Sequence, residues 1–105
     1  MSRLKDELVS RLEQIPGISH VPYPDRKDGF SGLNYLDKEI GHFHNFNELD
    51  LRLGKRLIKQ EGLKHYPDSK NHPNRGPGSQ FIEVRFHRRK DIEKLVGLVN
   101  LLVEG

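Results

Sequence analysis

Two histidines separated by one residue are the strongest chemical signal in this chain. His42 and His44 form an H-x-H motif inside a segment that is predicted to be a β-strand. Because the side chains of a strand alternate between its two faces, both imidazoles should lie on one face and Phe43 on the other. His65, in another predicted strand, and Asp50, just beyond the motif, can join the two histidines on that face.

Three imidazoles and one carboxylate on one sheet face have two chemical uses. As ligands they suit zinc, copper or iron(II). Without a metal they can transfer protons or bind an oxyanion, because imidazole titrates near neutral pH. The sequence does not choose between these uses, so the cofactor, the metal and enzymatic activity itself stay open. The residues predicted to be catalytic are His42, His44, His65 and Asp50.

Further polar residues lie on other predicted elements. Arg85 and His87 alternate with the apolar residues of the last predicted strand, where they could bind an anionic part of a ligand. The Pro- and Gly-rich segment 67–79 is predicted to be a loop that acts as a lid. The other two histidines, His20 and His72, are expected to be solvated.

Hydrophobic periodicity and turn residues predict the elements that must position these groups. Their order is typical of an α+β fold, in which helices cover one face of an antiparallel sheet and the other face is open to water or to a ligand. A length of 105 residues predicts one domain, 1–105. The predicted elements are a helix over 3–15, strands over 18–23, 30–36 and 39–46, an extended segment over 49–53, a helix over 54–60, strands over 63–66 and 80–87, and a helix over 90–103.

Composition excludes several classes of protein. The chain has no cysteine, which excludes disulfides, thiolate catalysis and cysteine-based metal sites. No apolar run approaches the ~20 residues that span a bilayer, and the charged N-terminal segment does not resemble a signal peptide. We therefore expect a cytoplasmic protein that does not bind membranes.

Charge suggests an alternative function. The net charge is +3, but the segment 52–90 holds eleven Lys and Arg residues against three acidic ones. Such a segment can bind nucleic acid or another polyanion, although charged residues also simply solvate helix and strand surfaces. A second alternative is a non-catalytic protein-interaction domain that associates through a sheet edge or through the Leu-rich terminal helix.

One order of short motifs runs through most of the chain, from about residue 30 to residue 103. It consists of His42-Phe43-His44, Asp50-Leu51-x-Leu53, Leu57, Gly62, His65, Pro67-Asp68-Ser69 and Asp91-Ile92 with a Leu-rich helix. In this order the chain resembles a known family, the small luciferase-type domain of fungal luciferases and of many uncharacterised microbial proteins.

In the fungal enzymes this domain is associated with the oxygen-dependent oxidation of a small aromatic pyrone, which gives light. The resemblance implies that the polar signature residues here are His42, His44, Asp50, His65 and Ser69, and Ser69 is thereby added to the predicted ligand-binding residues. The fungal pattern includes an N-terminal membrane segment that this sequence does not show. We therefore expect a small-molecule-binding relative with a histidine-rich site and an unassigned activity.

Overall fold

Five antiparallel strands and three helices make up the part of the protein that the structure describes. The structure, a computed structural model, describes residues 3–66 and 78–104. The strands lie in the sheet in chain order, and each pairs antiparallel with the next. The architecture is α+β, as the sequence predicts. The elements are α1 (Arg3–Leu12), β1 (Ile18–Pro22), β2 (Ser31–Tyr35), β3 (Lys38–Phe43), β4 (Glu48–Leu51), α2 (Lys55–Gln60), β5 (Ile82–Arg85) and α3 (Arg89–Glu104).

One face of the sheet carries the apolar core. In β4 and β5 every second residue is apolar, so a single face of these strands is hydrophobic, and Phe43 of β3 joins it. Helices α1 and α3 contact each other and complete the core on that face. The buried side chains include Phe43, Leu49, Leu51, Ile82 and Val84 from the strands and Leu8, Leu12, Ile92, Leu95 and Val99 from the two helices.

A side-chain cap fixes the start of α3. The Asp91 carboxylate accepts the backbone N–H groups of His87 at 2.9 Å and of Arg88 at 3.1 Å. His87 and Arg88 come just before the first turn of α3, and N–H groups at this end of a helix have no partner inside the helix. The two bonds lower the pKa of Asp91, with that from His87 the larger cause. The cap fixes the direction in which α3 leaves β5 to return across the core.

The predicted brief strand over 63–66 is wrong, because these residues lie outside any helix or strand. At the edge of the sheet, the backbone N–H of Arg85 in β5 donates to the Tyr66 hydroxyl at 3.4 Å, so a side chain rather than a strand backbone meets the sheet at this point. The first helix ends at Leu12, before the predicted end at residue 15.

The predicted loop over 67–79 falls mostly outside the described residues, which resume at Gly78. Ser69 and His72 belong to the part that is not described. Within 3–66 and 78–104, no helix combines the length and apolar character that crossing a bilayer requires.

Candidate functional site

Two histidines and one aspartate meet on the face of the sheet opposite the core. His42 in β3 lies directly across from Asp50 in β4. His44 follows the end of β3, and its backbone N–H donates to the Glu48 carbonyl oxygen at 3.1 Å. Phe43, between the two histidines, is fully buried in the core. The H-x-H spacing therefore places both imidazoles on one face, because strand side chains alternate.

The two imidazoles flank a single carboxylate oxygen. The Nε2 atoms of His42 and His44 each lie 3.7 Å from Oδ2 of Asp50. The imidazole centroids are 4.7 Å apart, with the ring planes at 82°. The Asp50 side chain is 1% exposed, whereas those of His42 and His44 are 22% and 11% exposed. The carboxylate is thus buried behind two imidazoles that solvent can reach. We call these three residues the His–Asp centre.

A glycine allows the strands of the His–Asp centre to approach. A Cβ atom at Gly41 would lie 2.5 Å from the backbone carbonyl oxygen of Asp50. Any other residue at position 41 would push β3 and β4 apart or tilt them, since a Cβ atom does not come so close to backbone. Gly41 therefore helps to hold His42 opposite Asp50.

Charged residues of β4 and β5 extend the polar face beside the His–Asp centre. Glu83 pairs with Asp50 across the two strands, and Arg85 pairs with Glu48. The Arg85 Nε lies 3.6 Å from Oε2 of Glu48 and 3.9 Å from Oε2 of Glu83. Its guanidinium carbon is 3.9 Å from the centre of the Tyr66 ring. Acidic groups and an aromatic ring therefore hold Arg85 in place.

The Glu48 carboxylate is the second negative charge next to the imidazoles. Burial raises its pKa, but hydrogen bonds with Glu83 and Asn45 lower it. The charges of Arg85 and His44 act in the same direction, and the pKa ends below its usual value of 4.5. The hydrogen bonds and the neighbouring positive charges therefore favour the ionised form of Glu48.

Aromatic residues border the centre on the side of β2. The Phe30 ring lies 5.5 Å from the His42 ring, tilted by 33°. Tyr23 meets the same phenyl ring edge-on at 5.2 Å. The Arg26 guanidinium lies 4.5 Å from the ring centre of Phe30. The polar face is therefore bordered on this side by a flat, partly exposed aromatic surface.

The structure does not gather every predicted site residue. His65 is half-buried and is not a member of the His–Asp centre, and its Nε2 has no hydrogen-bond partner among the described residues. Arg85 lies on the same face as the centre. His87 is exposed beyond the end of β5. Ser69 lies outside the described residues. Roles in ligand binding for Arg85, His87 and Ser69, and in catalysis for His65, remain predictions.

The expectation that His20 is solvated is only partly met, because His20 is half-buried. It lies opposite Leu33, on the core side of the sheet, and its Nε2 is 2.8 Å from the Ser31 hydroxyl. The nearby Lys5 is buried at 8% exposure, and its ammonium group donates to the carbonyl oxygen of Gly29. Burial, and then the charge of Lys5, lower the pKa of His20. His20 and residues of α1 line a common groove, which the sequence of β1 alone does not reveal.

Several residues of the polar face were not predicted from the sequence. Glu83 and Glu48 alternate with buried residues, so their shared face was available from the pattern. The pattern could not predict that Glu83 and Glu48 lie close to Asp50 and His44, because this proximity depends on which strands pair and in what register. Phe30 gave no signal, since a single aromatic residue before a strand is common.

The chain can be assigned to a family. A model of the luciferase domain family matches residues 37–101, which is more than half of the chain and contains the whole His–Asp centre. The chain therefore belongs to the luciferase domain family, as the resemblance indicated. Neither a curated protein nor a solved structure matches the chain.

The His–Asp centre has the groups for two kinds of chemistry. The two imidazoles and the carboxylate are groups that can exchange protons with a bound molecule. One nitrogen of each histidine and one carboxylate oxygen, all within 4.8 Å of one another, are also a possible ligand set for a metal ion.

Proposed function

We propose that this luciferase-family protein binds a small molecule over the polar face of its sheet and acts on it through His42, His44 and Asp50. One observation carries the proposal. Two imidazoles that solvent can reach flank one oxygen of a fully buried carboxylate. Buried carboxylates are costly and are concentrated where chemistry needs them.

The surroundings of the centre favour a flat, oxygen-bearing aromatic ligand. Phe30 and the exposed Tyr23 offer an aromatic surface beside His42, which a planar molecule can contact. The imidazoles of His42 and His44 can bind an oxygen atom of the same molecule. Arg85 already has acidic neighbours in Glu48 and Glu83, so recognition of the oxygen atoms is assigned first to the two imidazoles.

The proposal predicts where small aromatic molecules bind. A panel of phenols, aromatic carboxylates and hydroxylated pyrones would be added to labelled protein and followed in two-dimensional amide NMR spectra. We expect the resonances of residues 30, 42, 44 and 50 to shift together. The double substitution His42→Ala and His44→Ala should abolish these shifts. It should also lower the free energy of unfolding by about 1–3 kcal/mol, because the buried Asp50 carboxylate loses the two imidazoles in front of it.

The matched control is a histidine on the other face of the sheet. His20→Gln should leave the shifts at the His–Asp centre unchanged, because His20 lies on the core side. The proposal is wrong if the shifts survive the double substitution. The proposal is also wrong if the resonances that shift belong to residues around the groove between α1 and β1. This groove has a volume of about 560 Å³, and Lys5, His20 and Phe46 help to line it.

Unfolding of the double variant would identify the two histidines as structural. The single variants His42→Gln and His44→Gln, which keep a polar side chain of similar size, then decide the matter. A folded single variant that still binds the panel as the original protein does would contradict the proposal.

A further inference from the structure

We infer that the His–Asp centre binds one divalent transition-metal ion, with Nε2 of His42, Nε2 of His44 and a carboxylate oxygen of Asp50 as the three protein ligands. The inference rests on the proposed function, since it names the cofactor of the same centre. Of the two uses open to the centre, proton transfer and metal binding, the inference selects metal binding. The two imidazoles act as ligands, and the bound small molecule meets the metal.

The separations between the three groups carry the inference. Both Nε2 atoms are 3.7 Å from Oδ2 of Asp50. Two ligand atoms placed about 2.0–2.2 Å from a zinc ion in tetrahedral geometry lie roughly 3.4 Å apart. The three donor atoms all lie within 4.8 Å of one another. Small rotations of the imidazoles are therefore enough to close the set around an ion.

The backbone already holds the three ligands in place. His42 and Asp50 are paired across adjacent strands, and His44 is two residues from His42 on the same face. The buried Asp50 side chain has little freedom to move. Ligands on neighbouring strands are positioned more precisely than ligands on loops, so little conformational entropy is lost when the ion binds.

The donor types decide the class of metal. Two imidazoles and one carboxylate suit zinc, iron(II), cobalt and related ions, whereas magnesium and calcium prefer oxygen ligands only. Three protein ligands leave at least one position for water or for the small molecule. The partly exposed imidazoles place that position towards solvent.

The local charge also favours a dication. Asp50, Glu48 and Glu83 are acidic, and Arg85 is the basic residue that lies beside Glu48 and Glu83. Acidic residues therefore outnumber this basic residue around the two imidazoles, which favours a cation there. Glu48 also lies where a second carboxylate can support the His44 side of the centre.

The experiment uses the full chain without a histidine tag, after removal of metals with a chelator. Zinc and cobalt(II) are each titrated by calorimetry, and cobalt(II) is also followed by its visible absorption. Magnesium is the comparison ion. We expect one zinc or cobalt ion per chain, no comparable binding of magnesium, and broadening by cobalt(II) of amide resonances around residues 42, 44 and 50.

Two ligand variants and one control test the assignment. Asp50→Asn and His44→Gln should each weaken zinc binding at least about 100-fold, because loss of a partner outside the ligand set already costs roughly 10–100-fold. His20→Gln should bind zinc as the original protein does. If Asp50→Asn fails to fold, His44→Gln provides the test, since its side chain is partly exposed.

The inference is overturned if Asp50→Asn and His44→Gln bind zinc as tightly as the original protein, or if the broadened resonances surround the exposed His87 instead. The outcomes also separate the two proposals. Aromatic probes that shift residues 42 and 44 while zinc does not bind would remove the metal and leave the proposed function. Tight zinc binding at the centre with no binding of any probe would keep the metal site and remove the proposed function.

Discussion

Asp50 is fully buried, and this burial determines how strongly it acts on the two imidazoles in front of it. Charges interact more strongly where water is excluded, because the local dielectric constant is low. The same carboxylate on an exposed strand would be screened by solvent and salt. The position of Asp50 behind His42 and His44 therefore supports the chemical role that we propose for the H-x-H motif.

His20 illustrates the opposite case, a histidine whose burial serves the fold. Burial is the largest cause that lowers its pKa below 6.5, and the charge of Lys5 adds to it, while Glu13 and Asp6 act in the opposite direction. The unfolded chain therefore binds the proton more readily than the folded chain does. The stability that His20 contributes is fully present above pH 6.5 and is lost as the pH falls through its lowered pKa.

We predict that this difference appears as acid sensitivity. The free energy of unfolding of the original protein, measured with urea between about pH 7.5 and pH 5, should fall more steeply than that of His20→Gln. The comparison cancels the contributions of the other five histidines. Parallel curves for the two proteins would show that the burial of His20 does not depress its pKa.

Among the elements, the pairing of β3 with β4 decides whether the centre forms. His42, Gly41 and Phe43 pair with Asp50, Leu51 and Leu49, respectively. A slip of one residue would send Asp50 into the core and Leu49 to the polar face. The apolar residues of both strands oppose that slip, so the hydrophobic core fixes the register that the polar site needs.

Two glycine substitutions should act in opposite directions. Gly41→Ala places a Cβ 2.5 Å from the Asp50 carbonyl oxygen, so we expect a loss of about 1–3 kcal/mol in the free energy of unfolding. Gly97 lies inside α3, and a Cβ atom added there would have nothing within 4 Å. Gly97→Ala should therefore stabilise the protein by about 0.5–1 kcal/mol, because alanine favours a helix. Urea unfolding of both variants measures these changes.

The variants Gly41→Ala and Gly97→Ala also test the proposed metal site. Gly41→Ala should weaken zinc binding, because it moves β3 against β4, while Gly97→Ala should not change it. A Gly41→Ala protein with the original stability would show that the two strands do not approach as closely as described.

At the scale of the whole molecule, two basic residues of segment 52–90 have acidic neighbours. Arg85 lies beside Glu48 and Glu83, and the Arg89 guanidinium is 3.3 Å from the Glu7 carboxylate. Basic side chains that are neutralised locally attract a polyanion less than free ones do. Arg85, which is the more buried of the two, is therefore a weak candidate for binding a nucleic acid.

At this scale we predict how strongly the protein binds nucleic acids and how that binding depends on salt concentration. Binding to single-stranded RNA or double-stranded DNA, measured by fluorescence anisotropy, should be no tighter than the ~1–100 μM of non-specific binding at about 0.15 M salt. It should weaken steeply as salt rises, whereas binding of the small aromatic probes should change little. Tight, salt-resistant binding of either nucleic acid would favour the polyanion alternative.

The sequence predicted the elements well where periodicity was strong. The H-x-H motif correctly placed two imidazoles on one face, because alternation is a local property of a strand. The strand over 63–66 was wrong, and His65 was therefore assigned to a sheet face that it does not occupy. Short apolar segments give too few residues to separate a strand from an irregular segment.

The sequence by itself determined the α+β order of elements, the two-sided character of the strands and the type of side chain available on each face, since these depend on neighbours along the chain. Only the tertiary structure decided that Asp50 is buried between two imidazoles, that Glu48 and Glu83 lie beside them, and that His20 is half-buried next to α1. These properties depend on strand register and on which helix covers which face. Distant segments fix both when they bury their apolar residues together.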